Sequence, residues 1–92
     1  MFQKALLRDP LHADTLNNLG TLHIQEGKFE AAIAALSRAR QVHPNNPNIL
    51  GNLGYGYIKS NKIEPGCRLI HSSLALDPDN ARNRYLAKKL CR

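Results

Sequence analysis

Tryptophan is absent from the 92 residues, and tyrosine (3) and phenylalanine (2) are scarce. Leucine and alanine dominate instead, which is the composition of a helical bundle rather than of a sandwich or barrel. No stretch approaches ~18 consecutive apolar residues, so no segment reads as a membrane span. Cysteine occurs only at Cys67 and Cys91, too few for a disulfide framework, and no Asn-x-Ser/Thr acceptor is present. The opening residues Met1 to Asp9 lack the apolar segment and cleavage site of a signal peptide. A reducing cytoplasm is therefore the default expected setting, with a fragment of a longer or exported protein left open. The length suits one small domain with a thin core, burying about 60 to 65% of its unfolded surface.

Acid is missing from one end. Net charge is +6 with a pI near 9.8, and Arg82, Arg84, Lys88, Lys89 and Arg92 follow Asp79 with no further carboxylate. Such a cluster attracts nucleic acid, an anionic surface or an acidic peptide, and it equally suits the solvated face of a terminal helix. Reactive constellations are missing too. The run Gly51-Asn52-Leu53-Gly54-Tyr55-Gly56 lacks the glycine order and preceding strand of a dinucleotide loop. Cys67 and His71 are one helical turn apart, but two ligands do not make a closed metal site. No acid pair and no nucleophile with its base emerges, so no catalysis, cofactor or metal is expected.

What is present is a period. Pro10, Pro44 and Pro78 stand 34 residues apart, and Leu19-Gly20 and Leu53-Gly54 share that interval. Repeats of this length are stacked supersecondary units, none able to bury its apolar face alone. The apolar spacing is helical throughout and no strand-like alternation competes. Leu16, Leu19, Leu22 and His23 mark a first helix ending at Gly27, a residue suited to a left-handed C-cap. Phe29, Ala32, Ile33, Leu36 and Ala39 mark a second, stopped before Pro44. Asn46 caps and Pro47 opens a third, carrying Leu50, Leu53, Tyr57 and Ile58 to a break at Ser60-Asn61-Lys62. Ile63, Cys67, Ile70, Leu74 and Leu76 form a fourth, and Asp79 or Asn80 caps a last helix through Tyr85, Leu86, Leu90 and Cys91. His12 and His43 flank turns.

These residues resemble the tetratricopeptide repeat. The first unit reads Leu16, Leu19-Gly20, His23, Ala32, Leu36, Ala39 and Pro44; the second reads Leu50, Leu53-Gly54, Tyr57, Gly66, Ile70, Ser73 and Pro78. Phe2, Ala5 and Pro10 continue the register backwards. The resemblance implies an all-α fold, a right-handed superhelical stack of antiparallel helix pairs. Residues 1–12 would end a preceding repeat's helix B, 13–46 and 47–80 would be two repeats, and 81–92 a capping helix. Gly20 and Gly54 would let paired helices approach, with Ala32 and Gly66 as small partners. His23 departs from the usual tyrosine and Lys88 from the usual small residue. Gly51, Gly54 and Gly56 mark the third helix as the soft element.

In such arrays the first helices of the pairs line a concave groove. Here that face would present Asp14, Asn17, Asn18, Thr21 and Gln25, then Asn48, Gly51, Asn52, Tyr55 and Lys59, then Arg82, Tyr85 and Lys89. Asn18 and Asn52, 34 residues apart, would form an asparagine ladder able to grip a peptide backbone, or else serve the repeat's own hydrogen bonding. The resemblance extends only partly to the two-carboxylate clamp of chaperone-tail binders. Asn52 and Arg82 match it, whereas Asn17, Thr21 and Leu86 do not. The expected function is a non-enzymatic scaffold binding a protein or peptide, with an acidic partner favoured by Arg82 and Lys89. Head-to-tail self-assembly through the terminal helices is a second reading, and nucleic-acid binding by the basic end a third.

Overall fold

The structure, a computed structural model, describes residues 10–91, with the backbone alone for 10–12. Five helices and no strand occur among them: α1 (Pro10–Gln25), α2 (Phe29–Val42), α3 (Pro47–Lys59), α4 (Ile63–Leu76) and α5 (Ala81–Leu90). α1 pairs with α2 and α3 with α4 as antiparallel hairpins. α2 then packs on α3, α4 on α5, and α1 touches α3. This is an α–α superhelical stack, extending 42 × 26 × 18 Å.

The period is repeated bond for bond in the turns. Gly27 and Asn61 both adopt left-handed backbone, with φ of 78° and 70°. The amide of Lys28 donates to the His23 carbonyl and that of Lys62 to the Tyr57 carbonyl, each at 2.8 Å. These are Gly-type helix endings that satisfy orphan carbonyls. At the far ends of the pairs, His43 donates to Ala39 at 3.0 Å and Asp77 to Ser73 at 2.8 Å. The next helices start as the sequence indicates. Asn46 Oδ1 accepts from the amides of Asn48 (2.9 Å) and Ile49 (3.2 Å), with Pro47 at the first turn. Asn80, rather than Asp79, caps α5 by accepting from the Asn83 amide at 2.9 Å.

Two apolar clusters form the core. Ala32, Leu36, Leu50, Leu53 and Leu69 join the first pair to the second. Ile58, Ile70, Leu86 and Cys91 join α5 to α3 and α4. Close approach explains the glycine register. A Cβ on Gly54 would lie 2.9 Å from the Gly66 carbonyl oxygen, so these two are partners across their crossing as expected. In the first pair, however, a Cβ on Gly20 would lie 2.4 Å from Leu36 Cγ. The close partner there is Leu36, while Ala32 is buried in the core beside it.

Several sequence expectations change. Residues 10–12 lie in α1, so Pro10 opens a helix instead of closing one, and His12 is helical rather than beside a turn. The opening position suits proline because its missing N–H has no helical partner there anyway. The earlier part of the expected N-terminal helix, residues 1–9, lies outside the described residues, as does Arg92. Leu19 and Leu76, assigned to inward stripes, are 40% and 49% exposed, and Leu22 is exposed as well. Cys67 and Cys91 are joined in a disulfide with their Cα atoms 5.5 Å apart. Two cysteines exclude a framework but not a single staple, and Cys67 is thereby removed from any pairing with His71.

Candidate partner-binding groove

Facing side chains of α1, α3 and α5 meet in a continuous polar row. Asn52 Nδ2 donates to Asn17 Oδ1 at 3.0 Å and to Thr21 Oγ1 at 3.3 Å. Asn52 Oδ1 accepts from Arg82 Nη2 at 3.0 Å. Thr21 in turn donates to the Asn17 carbonyl at 3.0 Å. Asn18 is exposed and takes no part, so the asparagine ladder runs through Asn17 rather than through Asn18. Asn52 Nδ2 thus has two acceptors within the fold, so this amide serves the stack's own hydrogen bonding.

Beside this row opens a cleft of about 590 Å³, lined by Thr21, Gln25, Asn52, Tyr55, Lys59 and Arg82 together with Ile24, Gly27 and Phe29. The Arg82 guanidinium lies 5.1 Å from the Tyr55 ring centroid. Lys59 Nζ stands 6.0 Å from the Tyr55 and Phe29 centroids. Desolvation lowers the Arg82 pKa from the ordinary arginine value, opposed by the Tyr55 hydroxyl. Arginine remains charged at any physiological pH regardless. Among the described residues the ion pairs lie elsewhere: Glu26 with Lys28, Glu30 with Lys62, Glu64 with Arg68. No described carboxylate lies within the 4.0 Å pairing distance of Lys59 or Arg82. The cleft therefore combines an apolar wall with two cations that no described carboxylate pairs.

The remaining expected groove residues are placed otherwise. Asn48, Tyr85 and Lys89 are exposed but do not line the cleft. Asp14 borders a separate hollow with His43, Pro44 and Asn46. Gly51 is buried under α5, where an added Cβ would meet Asn83 Nδ2 at 2.6 Å. Leu86, at the last clamp position, is 7% exposed and belongs to the core, so the fifth polar contact of a two-carboxylate clamp is replaced by packing.

Three contributors escaped the sequence reading. Ile24 and Phe29 supply the apolar wall; their helical spacing marks them as core-facing, and only the turn at Gly27 brings their edges to the cleft. Asn83 is fully buried. Its Nδ2 donates to Ser73 Oγ at 2.9 Å, and Ser73 donates to the Pro47 carbonyl at 2.7 Å. This relay fixes the start of α5 and with it Arg82. Asn83 sits 34 residues after Ile49, itself buried, so the register held the one available signal.

Comparison with known proteins meets this geometry directly. The sequence model described as the tetratricopeptide repeat matches residues 13–46, the stretch from α1 to the cap of α3. Residues 13–46 form a tetratricopeptide repeat. The unmatched pair, α3 with α4, reproduces the turns of the first while carrying glycine and serine at Gly66 and Ser73 in place of Ala32 and Ala39. Among curated relatives, a peroxisomal targeting signal receptor of Candida albicans is 39% identical over 62% of the chain and 10% of its own length. The bifunctional subunit NrfFG of a formate-dependent nitrite reductase complex from Haemophilus influenzae is 39% identical over 91% of the chain and 23% of its own. A PEX5-related protein of Mus musculus is 28% identical over 94% and 15%. The chain thus spans between about a tenth and a quarter of the relatives it matches. No described helix is long and apolar enough to cross a membrane.

Proposed function

We propose that this tetratricopeptide-repeat chain is a non-enzymatic interaction module whose α1–α3–α5 cleft holds an extended peptide segment of a protein partner. The observation that carries the reading is the pair of cations, Arg82 and Lys59, flanking Tyr55 without a described acid. An acidic side chain on the peptide supplies the missing charge, and the edges of Ile24 and Phe29 receive a neighbouring apolar group. A receptor and a subunit of a complex among the relatives fit a role in holding other proteins.

The test is a synthetic library of short extended peptides carrying one Asp or Glu beside a Leu or Phe, against the same set with Lys for the acid. Acidic peptides bind the chain preferentially, and Tyr55→Ala with Arg82→Ala weakens them at least about tenfold while the helical circular dichroism is kept. Equal binding of both sets, or unchanged affinity in the double variant, removes the cleft from the reading. Light scattering across a concentration series separates the self-assembly reading, which requires mass to rise with concentration.

A further inference from the structure

α5 is the least supported helix of the stack. It has only ten residues, and isolated helices below about 12–15 residues are marginal in water. It packs mainly on α4, with Leu86 also meeting Ile58 of α3 and Arg82 bonded to Asn52, while Tyr85 and Leu90 are 61% and 46% exposed. Its C-terminal end is held differently. Cys91, the residue that follows the helix, is 8% exposed, packs with Ile58, Ile70 and Leu86, and is bonded to Cys67 in the second turn of α4. The bond joins residues separated by 24 positions and encloses most of α4, the turn at Pro78 and the whole of α5. The two ends of α5 are therefore fixed by different chemistry: a polar relay at Asn83 and a covalent link at Cys91.

We propose that Cys67–Cys91 is a redox-addressable staple, made and broken by a dithiol–disulfide carrier through Cys67, whose state sets whether α5 and its Arg82 stay docked on the cleft. Cys67 is the more exposed residue of the pair, half-buried where Cys91 is buried, so the route is assigned to Cys67. In reduction, a carrier thiolate attacks Cys67 Sγ, the bond between the two cysteines breaks, and Cys91 leaves as a thiolate and takes up a proton. The carrier's second thiol then displaces Cys67 from the mixed disulfide. The chain gains two electrons and two protons, and the carrier becomes a disulfide. Formation is the reverse, with an oxidised carrier accepting the electrons. Such a bond persists where thiols are not kept reduced, which shifts the expected setting away from a reducing cytoplasm.

The test uses the whole 92-residue chain and does not depend on any peptide ligand, so it stands or fails separately from the cleft reading. After air oxidation and denaturation, no thiol alkylates; after dithiothreitol, two do. Reduction lowers Tm by about 5 °C or more and removes hydrogen-exchange protection from α5 first, leaving α1 and α2 protected. The Cys67→Ser, Cys91→Ser double variant behaves like the reduced chain and ignores dithiothreitol. With oxidised glutathione under native conditions, Cys91→Ser forms a mixed disulfide at least about tenfold faster than Cys67→Ser, because only the former keeps the more exposed cysteine. Two alkylatable thiols in the air-oxidised chain, or equal α5 protection in both redox states, overturns the staple. Faster glutathionylation of the Cys67→Ser variant overturns the route through Cys67.

Discussion

Asn52 donates to Asn17 Oδ1 at 3.0 Å, one position away from Asn18, the residue that stands at the matching place in the repeat. An interaction between successive repeats links unlike positions, because the second repeat is displaced and rotated onto the first. The same Asn52 amide accepts from Arg82 at 3.0 Å, so one side chain joins three helices.

Asn52→Ala removes the central member of this row. Neutral hydrogen bonds contribute about 0.5–1.5 kcal/mol net and those to a charged group about 1.5–3 kcal/mol, with partial exposure moderating both. Urea unfolding of Asn52→Ala should show a loss of about 2 kcal/mol. Asn18→Ala, at an exposed site, should stay within about 0.5 kcal/mol. Equal losses at the two sites would return Asn18 to the row.

Gly54 and Gly56 lie on the same helix and should respond to alanine with opposite sign. A Cβ at Gly54 meets the Gly66 carbonyl oxygen at 2.9 Å, a backbone atom that moves only with its helix. At Gly56 the nearest neighbour is Ile33 Cγ1 at 3.4 Å, an ordinary contact. Overpacking costs about 1–3 kcal/mol, whereas alanine gains up to about 1 kcal/mol of helix propensity. Thermal melts should place Gly54→Ala below the parent and Gly56→Ala level with it or above. The expectation that three glycines soften α3 thus divides: Gly54 is required by a crossing, and Gly56 is the position with room.

Helix identities, turns and the paired architecture were legible because they depend on local periodicity and on turn residues spaced 34 apart. The cleft was half legible. Thr21, Gln25, Asn52, Tyr55, Lys59 and Arg82 were assigned to the face and line it, since helical phase alone sets that side. Asn48, Tyr85 and Lys89 share the phase but do not line the cleft. The burial of Asn83 and the link from Cys67 to Cys91 depend on how α5 tilts across α4, and no local pattern encodes that. A polar residue in an inward slot reads as surface until its partner, here Ser73, is known to face it.

Ser73→Ala tests that relay. The hydroxyl, 1% exposed, is the acceptor for buried Asn83 and the donor to the Pro47 carbonyl. Alanine fits the space but leaves the buried Asn83 amide without its acceptor, costing about 1–3 kcal/mol before relaxation. Alanine occupies the equivalent place in the first repeat, Ala39, without such a penalty, since nothing polar faces it there in the hydrogen-bond pattern of the described residues. The variant should unfold about 2 kcal/mol sooner in urea and lose amide protection at the start of α5. Unchanged stability with unchanged protection would make the relay incidental.

Asn61 offers a gain rather than a loss. It occupies the left-handed position, φ 70°, that Gly27 occupies at φ 78° in the preceding turn, and the surrounding hydrogen bonds are the same in both. A side chain in that region carries a steric cost that glycine avoids, though asparagine tolerates it better than most residues. Asn61 is exposed, and its side chain makes no hydrogen bond among the described residues that the exchange would lose. Asn61→Gly should therefore stabilise the chain by a few tenths up to about 1 kcal/mol, less any entropy gained by the unfolded chain. The converse series at Gly27 separates backbone from packing, because no atom lies within 4 Å of an added Cβ. Gly27→Asn should cost little, and Gly27→Val about 1 kcal/mol or more, purely through φ. If Gly27→Val and Gly27→Asn melt together, the left-handed turn is not what ends α1.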